Sequence, residues 1–254
     1  MFGFFTLTNE YGKKIRGRVL APRGNKPVVV FVHGLGGGMF EPQYRVLKKA
    51  LTLNGFGVCM FDMINSLGRS SFDPQHLSVQ DYARDFANVV AHLRAQGFSD
   101  LVYFGHSLGG GLVLDALARE GAGVRGAVLL NPFVTHADTA FDRVESVLGK
   151  LPMKFSRMMK HFTITQKNVT SFLEFDTIPK AQLITTPLLV MRGKYDKVIP
   201  PTQIEALCSR VSGPVVKKTY DYFGHTFLHT QSLKKINDWA QEVVVWIHLL
   251  KEKK

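Results

Sequence analysis

The chain alternates between short, continuously apolar runs and segments in which apolar residues recur every three or four positions. The apolar runs predict strands buried on both faces of a sheet, and they lie at Val28–Val32, Val58–Phe61, Leu101–Phe104, Ala127–Leu130 and Leu188–Met191. The other segments predict helices, and they lie at Gln43–Leu53, Val79–Gln96, Leu108–Glu120, Gln203–Val211 and Leu233–Leu250. This order indicates an α/β fold in which helices cover both faces of a mostly parallel sheet.

Three further strands complete a sheet of about eight. Gly3–Thr8 and Ile15–Leu20 flank the turn-forming residues Asn9–Gly12, which predicts an antiparallel hairpin at the start. The run Val215–Tyr220 is interrupted by two lysines, as expected of a strand near a sheet edge.

Residues 133–186 interrupt the alternation of predicted strands and helices, because they contain no clear sheet strand and are too long for a simple connection. Helix-like pieces occur around Ala140–Leu148 and Pro152–His161. We interpret 133–186 as a small helical cap inserted after the sixth strand of a core formed by 1–132 and 187–254. The alternative is a pair of packing helices that extend the core.

The proposed cap is rich in methionine and phenylalanine, which form adaptable apolar pockets. Phe133, Met158 and Phe172 are therefore predicted to contact a substrate. A cap of this composition favours an apolar acyl or aryl group.

Composition narrows the class of protein. The 254 residues are 45% hydrophobic and 20% charged, as in one ordinary globular domain. No apolar run approaches the roughly 20 residues of a transmembrane helix, and Met1–Thr8 lacks the basic leader and cleavage site of a signal peptide.

Cys59 and Cys208 lie in apolar stretches, which predicts reduced thiols and a cytoplasmic location.

The formal net charge of +12 is compatible with nucleic acid, an anionic membrane surface or an acidic substrate. Lysine and arginine are nevertheless spread along the whole chain, without an aromatic-interleaved basic motif. We expect a solvated basic surface and no nucleic-acid partner, and leave open a weak contact with an anionic membrane surface. The oligomeric state stays open as well.

The strongest chemical motif is Gly105–Gly109, with the sequence GHSLG. It follows a predicted strand and precedes a predicted helix, which is the setting of a nucleophilic serine on a sharp turn. Gly105 and Gly109 permit close backbone approach, and the helix N-terminus behind Ser107 favours an oxyanion. Ser107 is therefore the predicted nucleophile.

A glycine-rich loop, His33–Gly38, follows the strand Val28–Val32. A loop at this point supplies an oxyanion donor in such folds, and we predict that the backbone N–H groups of Leu35 and Leu108 form the oxyanion hole. His33, Gly34 and Gly36 are predicted to support the loop. A phosphate-binding loop is disfavoured, because the sequence has neither G-x-G-x-x-G nor a terminal Gly-Lys-Ser/Thr.

Two further strand ends carry an acid and a base, Asp196 and His225. The order serine, acid, histidine along the chain is that of hydrolases whose nucleophilic serine lies on a strand-to-helix turn. The carboxylate would fix the tautomer of the histidine. Other candidates remain open. They are Asp221 and Asp138 for the acid, and His229 and His106 for the base.

Together these motifs resemble the serine α/β-hydrolase superfamily, in particular its monoacylglycerol lipase-like and feruloyl or cinnamoyl esterase-like branch. The resemblance covers nearly the whole chain and includes a segment, Asp62–Ser70, similar to the D-x-x-G-x-G-x-S segment of the family. Met63–Ser66 stands where that segment usually has an early glycine. The resemblance implies the α/β-hydrolase fold and a triad of Ser107, Asp196 and His225.

The predicted activity is hydrolysis of a small-molecule ester or thioester through an acyl-serine intermediate. No cofactor is expected, and no metal, because no residue cluster has ligand spacing such as H-E-x-x-H. The alternatives are a cofactor-free perhydrolase or a C–C hydrolase with the same triad. A non-catalytic binding protein on a hydrolase scaffold is a third hypothesis, although such a protein is expected to lack a triad member.

Overall fold

The structure is a computed structural model. It describes residues 2–120, 123–136, 153–157, 160–164, 166–227 and 232–250. Within these ranges the strands are β1 Phe2–Thr8, β2 Lys14–Leu20, β3 Val28–Val32, β4 Gly57–Asp62, β5 Leu101–His106, β6 Gly126–Leu130, β7 Met153–Arg157, β8 Lys160–Ile164, β9 Leu188–Gly193 and β10 Val215–Tyr220. The helices are α1 Pro42–Leu53, α2 Val79–Ala95, α3 Leu108–Glu120, α4 Gln166–Leu173, α5 Pro201–Cys208 and α6 Leu233–Leu249.

Within the described ranges, eight strands form one sheet in the order β1-β2-β4-β3-β5-β6-β9-β10. The strand β2 pairs antiparallel with β1 and β4, and the neighbouring pairs from β4 to β10 are parallel. The prediction of a mostly parallel α/β sheet is confirmed. So is the initial hairpin, whose strands meet at Thr8 and Lys14.

The central strands of the sheet are buried on both faces, and successive side chains of each strand point to opposite sides. On β3, Val30 belongs to a core shared with Leu112 of α3. The adjacent Phe31 belongs to a second core shared with Leu47 of α1 and Trp239 of α6. This burial explains why the central strands are apolar without interruption.

The interval between β6 and β9 differs in part from the prediction. Its described portion contains the antiparallel hairpin of β7 and β8, with Met153 opposite Ile164, followed by α4. The interpretation of Pro152–His161 as helical is therefore wrong. Apolar and polar residues alternate along Met153–Ser156, and this period of two favours a strand. The predicted helix at Ala140–Leu148 lies outside the described residues.

The two ends of this interval lie beside one another. Thr135 forms an isolated β-bridge with Asp176, and the Thr177 hydroxyl donates to the Val134 carbonyl over 2.9 Å. A segment that leaves and returns at one place supports our proposal that 133–186 is an insertion.

No helix within the described ranges has the length and hydropathy needed to cross a membrane.

Because β3, β5, β6, β9 and β10 run in the same direction, their carboxyl ends meet at one edge of the sheet. Open α/β sheets bind ligands at that edge. The loops that follow these strands carry the residues predicted to act in chemistry.

Candidate active site

Ser107 lies on the sharp turn between β5 and α3. Its φ angle is 54°, in the left-handed region that non-glycine residues rarely occupy. The surroundings leave no room for side chains, because a Cβ on Gly105 would lie 2.6 Å from the Gly109 carbonyl oxygen and one on Gly109 would lie 2.1 Å from that of Val32. The two glycines therefore permit the strained turn that exposes the hydroxyl group.

Backbone hydrogen bonds hold this turn in place. The N–H of Ser107 donates to the Leu130 carbonyl over 3.1 Å. The Ser107 carbonyl accepts from the N–H groups of Gly110 and Phe133 over 2.9 and 2.8 Å. The turn is thus anchored to both its own helix and the end of β6.

The side chains of Ser107, His225 and Asp196 form a continuous hydrogen-bonded chain. His225 Nε2 lies 2.8 Å from Ser107 Oγ, and His225 Nδ1 lies 2.9 Å from Asp196 Oδ2. An ionised carboxylate only accepts, so Nδ1 carries the proton and Nε2 is free to accept the serine proton. The three predicted residues are brought together in the order that proton transfer requires.

Asp196 is fixed as an acceptor. Its side chain is buried, and its Oδ1 accepts from the N–H groups of Val198 and Ile199 over 2.7 and 3.0 Å. Burial alone would raise the pKa of Asp196, but the hydrogen bond from His225 and these two N–H donors outweigh it and lower the pKa below its ordinary value. The carboxyl group stays ionised.

The competing candidates lie elsewhere. Asp221 is exposed, and His225 Nδ1 bonds to Asp196 instead. His106 is buried, and its Nε2 donates to the His225 carbonyl over 2.8 Å rather than contacting the Ser107 hydroxyl. Burial, assisted by nearby His225, lowers the pKa of His106 to about 3. The remaining candidates, Asp138 and His229, lie outside the described residues.

The glycine-rich loop packs directly against Ser107. A Cβ on Gly34 would lie 3.1 Å from the Ser107 Cβ, and Gly36 has a φ of 66°. His33 Nε2 accepts from the Met63 N–H over 3.0 Å, so its Nδ1 carries the proton and donates to the Gly34 carbonyl over 2.8 Å. His33 therefore ties this loop to the end of β4.

The two predicted oxyanion donors flank the serine. Leu108 is the first residue of α3, and N–H groups in the first turn of a helix have no acceptor within it. Leu35 lines the cavity that contains Ser107. Both residues thus lie beside the serine, and their role as oxyanion donors stays a prediction.

Asn131 is a site residue that sequence reasoning missed. It is fully buried at the end of β6 with a φ of 44°. Its Nδ2 donates to the carbonyls of Gly224 and His225, and its Oδ1 accepts from the Gly193 N–H, each over 2.9 Å. One side chain thus joins the loops that carry the acid and the base. Its position directly after a buried strand was the available signal.

The Asp62 loop has asparagine rather than glycine at the early position of the family segment. Asn65 stands at that position with a φ of 60°, a conformation that asparagine tolerates better than most residues. The Asn65 side chain donates to the His76 carbonyl over 2.9 Å and accepts from the Asp73 N–H over 2.6 Å. Asp62 itself accepts from the N–H groups of Met39 and Arg69.

A cavity of about 400 Å³ opens at Ser107. It is lined by the glycine-rich loop, by Phe40–Gln43, by Leu67 and by His225. Within the described ranges, the pocket residues predicted from the cap do not line it. Phe133 is buried and stacks on Phe175 at 5.7 Å, and Phe172 packs against the core beside Tyr82 at 6.5 Å. Met158 lies outside the described residues.

Glu41 adds a carboxyl group to the cavity wall that the sequence reasoning did not single out. Its Oε1 accepts from the Gly38 N–H over 3.1 Å, and its Oε2 accepts from the Gln43 amide. Burial raises the pKa of Glu41, against the opposing effect of nearby His33. A Cβ on Gly37 would lie 2.1 Å from Glu41 Oε1. The lack of a side chain at Gly37 therefore leaves room for the Glu41 carboxyl group.

Residues 27–170 match the model of the α/β-hydrolase fold family. The match covers more than half of the chain, which therefore belongs to the α/β-hydrolase family. The fold, the serine turn and the order of the site residues agree with this assignment.

Single proteins resemble this chain either at low sequence identity or over a short stretch. The uncharacterized protein YfhR of Escherichia coli K12 is 27% identical over 187 residues, covering 73% of this chain and 58% of YfhR. The chain thus matches little more than half the length of that relative. A non-heme haloperoxidase of Rhodococcus erythropolis is 48% identical over 64 residues, covering 25% of this chain and 22% of that protein. Est1E of Butyrivibrio proteoclasticus, solved with ferulic acid bound, superimposes with a TM-score of 0.74 at 17% identity, covering 97% and 99% of the two chains.

Proposed function

We propose that this hydrolase is a serine esterase that cleaves carboxylic esters or thioesters of apolar acyl or aryl groups. The observation that carries the proposal is the hydrogen-bonded chain of Ser107, His225 and Asp196, with contacts of 2.8 and 2.9 Å. Leu35, Phe40 and Leu67 line the adjoining cavity and suit an apolar group.

In the proposed mechanism, Ser107 Oγ attacks the carbonyl carbon while its proton passes to His225 Nε2. The negative charge on the carbonyl oxygen is stabilised by the N–H groups of Leu35 and Leu108. Collapse of this intermediate breaks the bond to the alcohol or thiol, which leaves with the proton from His225. Water, deprotonated by His225, then attacks the acyl-serine and releases the acid and free Ser107.

Labelling with a fluorophosphonate followed by hydrolysis of short aliphatic, aryl and monoglyceride esters tests the proposal. We expect one label per chain, located on Ser107, and a loss of roughly 10⁴- to 10⁶-fold in kcat for Ser107→Ala. Ser209→Ala removes an exposed serine and is the matched control, with wild-type labelling and turnover. Undiminished turnover by Ser107→Ala would refute the proposal.

The haloperoxidase relative favours one alternative reaction at the same residues. In perhydrolysis, hydrogen peroxide replaces water, attacks the acyl-serine and releases a peracid together with free Ser107. A peracid then oxidises halide ions in solution. Bromination of monochlorodimedone in a solution of bromide, acetate and hydrogen peroxide, lost in Ser107→Ala, would support this activity, whereas ester hydrolysis without bromination argues for the esterase.

A further inference from the structure

Four basic side chains gather beside the candidate active site. They come from three separate elements, namely Arg18 from β2, Arg45 and Lys48 from α1, and Arg69 from the Asp62 loop. Arg45 and Lys48 are three residues apart, which places them on the same face of the helix. We refer to these four residues as the basic cluster.

The basic cluster adjoins the cavity through Phe40. The guanidinium carbons of Arg18 and Arg69 lie 5.1 and 5.5 Å from the centre of the Phe40 ring, within the range of a cation–π contact. Phe40 lines the same cavity as Ser107, and so does Gly68, the neighbour of Arg69. Arg18 and Arg69 therefore contact a residue of the cavity wall, although none of the four basic side chains is itself part of the described lining.

Arg18 lies close enough to Arg45 and Arg69 for their charges to act on it, and Lys48 lies close enough to Arg18 and Arg45. Burial lowers the pKa of Arg18, and the neighbouring charges of Arg69 and Arg45 lower it further. The pKa of Lys48 is lowered by burial and then by Arg18 and Arg45. Gathering like charges costs free energy, and a bound anion would recover it.

The nearby acids Asp62 and Glu41 offset only part of this charge, and the charge of Asp62 raises the pKa of Arg18 against the effect of the two arginines. Both carboxylate oxygens of Asp62 accept from backbone N–H groups, and those of Glu41 accept from a backbone N–H and an amide. Among the described residues, neither Arg45 nor Arg69 belongs to an ion pair. Two carboxylates thus face four cations, and two of these cations are available to a ligand.

We propose that the basic cluster binds a phosphate group carried by the leaving group of the substrate. A phosphate carries more charge than a carboxylate and offers three acceptor oxygens, which matches several cations, and arginine binds it through paired N–H groups. The inference rests on the proposed esterase function, in which the acyl group is apolar. The charged group therefore belongs to the alcohol or thiol.

Two matched substrate pairs test this inference. Hexanoyl-coenzyme A is compared with hexanoyl-pantetheine, and 1-hexanoyl-glycerol 3-phosphate with 1-hexanoyl-glycerol. Each pair shares the acyl group, and its members differ by one phosphate in the glycerol pair and by the 3′-phosphoadenosine diphosphate in the thioester pair. We expect kcat/KM to favour the phosphate-bearing member of at least one pair by about 10- to 100-fold at low salt, and the pair that shows the preference tells a nucleotide-type leaving group from a lipid headgroup.

In Arg45→Gln/Arg69→Gln we expect the ratio of the two kcat/KM values to fall at least about fivefold, mainly through a higher KM for the phosphate-bearing member. Arg23→Gln/Arg210→Gln removes two exposed charges outside the cluster and should keep the wild-type ratio. Equal kcat/KM values within both pairs, or an unchanged ratio in Arg45→Gln/Arg69→Gln, would overturn the inference.

Binding by the inactive protein separates this inference from the proposed function. Ser107→Ala is titrated with coenzyme A and with glycerol 3-phosphate in a calorimeter. If none of the four esters is hydrolysed, the esterase proposal fails. Phosphate binding that disappears when Arg45 and Arg69 are also replaced by glutamine still supports the cluster, and no binding of either probe overturns it.

Discussion

Asn131 offers a sharp test of how the site is assembled. Its side chain makes three hydrogen bonds of 2.9 Å, to the carbonyls of Gly224 and His225 and from the N–H of Gly193. In Asn131→Ala the His225 carbonyl keeps the hydrogen bond from His106. The loss of stability therefore comes mainly from the Gly193 N–H and the Gly224 carbonyl, which lose their hydrogen bonds to Asn131.

The magnitude follows from those two groups. Leaving a buried donor or acceptor unsatisfied costs about 1 to 3 kcal/mol, so Asn131→Ala is expected to lower the free energy of unfolding by about 2 to 6 kcal/mol. Alanine also pays roughly 1 kcal/mol for the positive φ that Asn131 adopts. Asn131→Gly avoids that strain and should be the more stable of the two variants.

The loops of Asp196 and His225 should also lose their alignment. We expect kcat to fall about 10- to 100-fold, as for a displacement near 1 Å. Urea unfolding, ester turnover and fluorophosphonate labelling measure the two effects. Val128→Ala, at a buried position on β6, is the control, since it should lose stability and retain kcat. If Asn131→Gly matches the wild type in both stability and kcat, the proposed positioning role is wrong.

The remaining predictions concern single groups. Asp196→Asn should lower kcat about 10⁴-fold by favouring the wrong histidine tautomer, while Asp221→Asn retains wild-type turnover, and the reverse result would reassign the acid. Burial raises the pKa of Asp85 to about 6, so the folded state holds this proton more tightly than the unfolded chain, and the stabilisation present at low pH is lost as pH rises from about 4 to about 6. Asp85→Asn should remove this decline, worth on the order of 2 to 3 kcal/mol, when urea unfolding is measured across that range. Gly109→Ala should cost about 1 to 3 kcal/mol by overpacking, whereas Gly3→Ala, with 3.8 Å to its nearest neighbour, should cost far less in the same assay.

The sequence predicted those parts of the protein that depend on local constraints. A buried strand reveals itself by continuous apolar residues, and the turn at Ser107 by the glycines that its close contacts require. The acid and the base could be proposed because each follows a strand and the strands share one direction. Their order along the chain matched a known type of hydrolase.

Features that depend on distant contacts were not predictable. Asn131 acts by joining loops more than sixty residues further along the chain, and its position directly after a buried strand does not show which loops it joins. Phe133 and Phe172 were assigned to a pocket by composition, but phenylalanine serves equally well in a core. The range Pro152–His161, predicted as helical, contains the strand Met153–Arg157 and the start of the next strand, because the alternation of apolar and polar residues there is too short to identify a strand.

Among the strands that the structure describes, β10 at the end of the sheet has one neighbour, β9, and it is exposed along most of its length. Lys217 and Lys218 on this strand pair with Glu205 and Glu242 of the flanking helices. A second chain that added a strand here would have to displace or desolvate these charges, which disfavours edge-to-edge aggregation. The lysines that interrupt the apolar pattern of β10 thus disfavour the addition of a strand from another chain to this edge of the sheet.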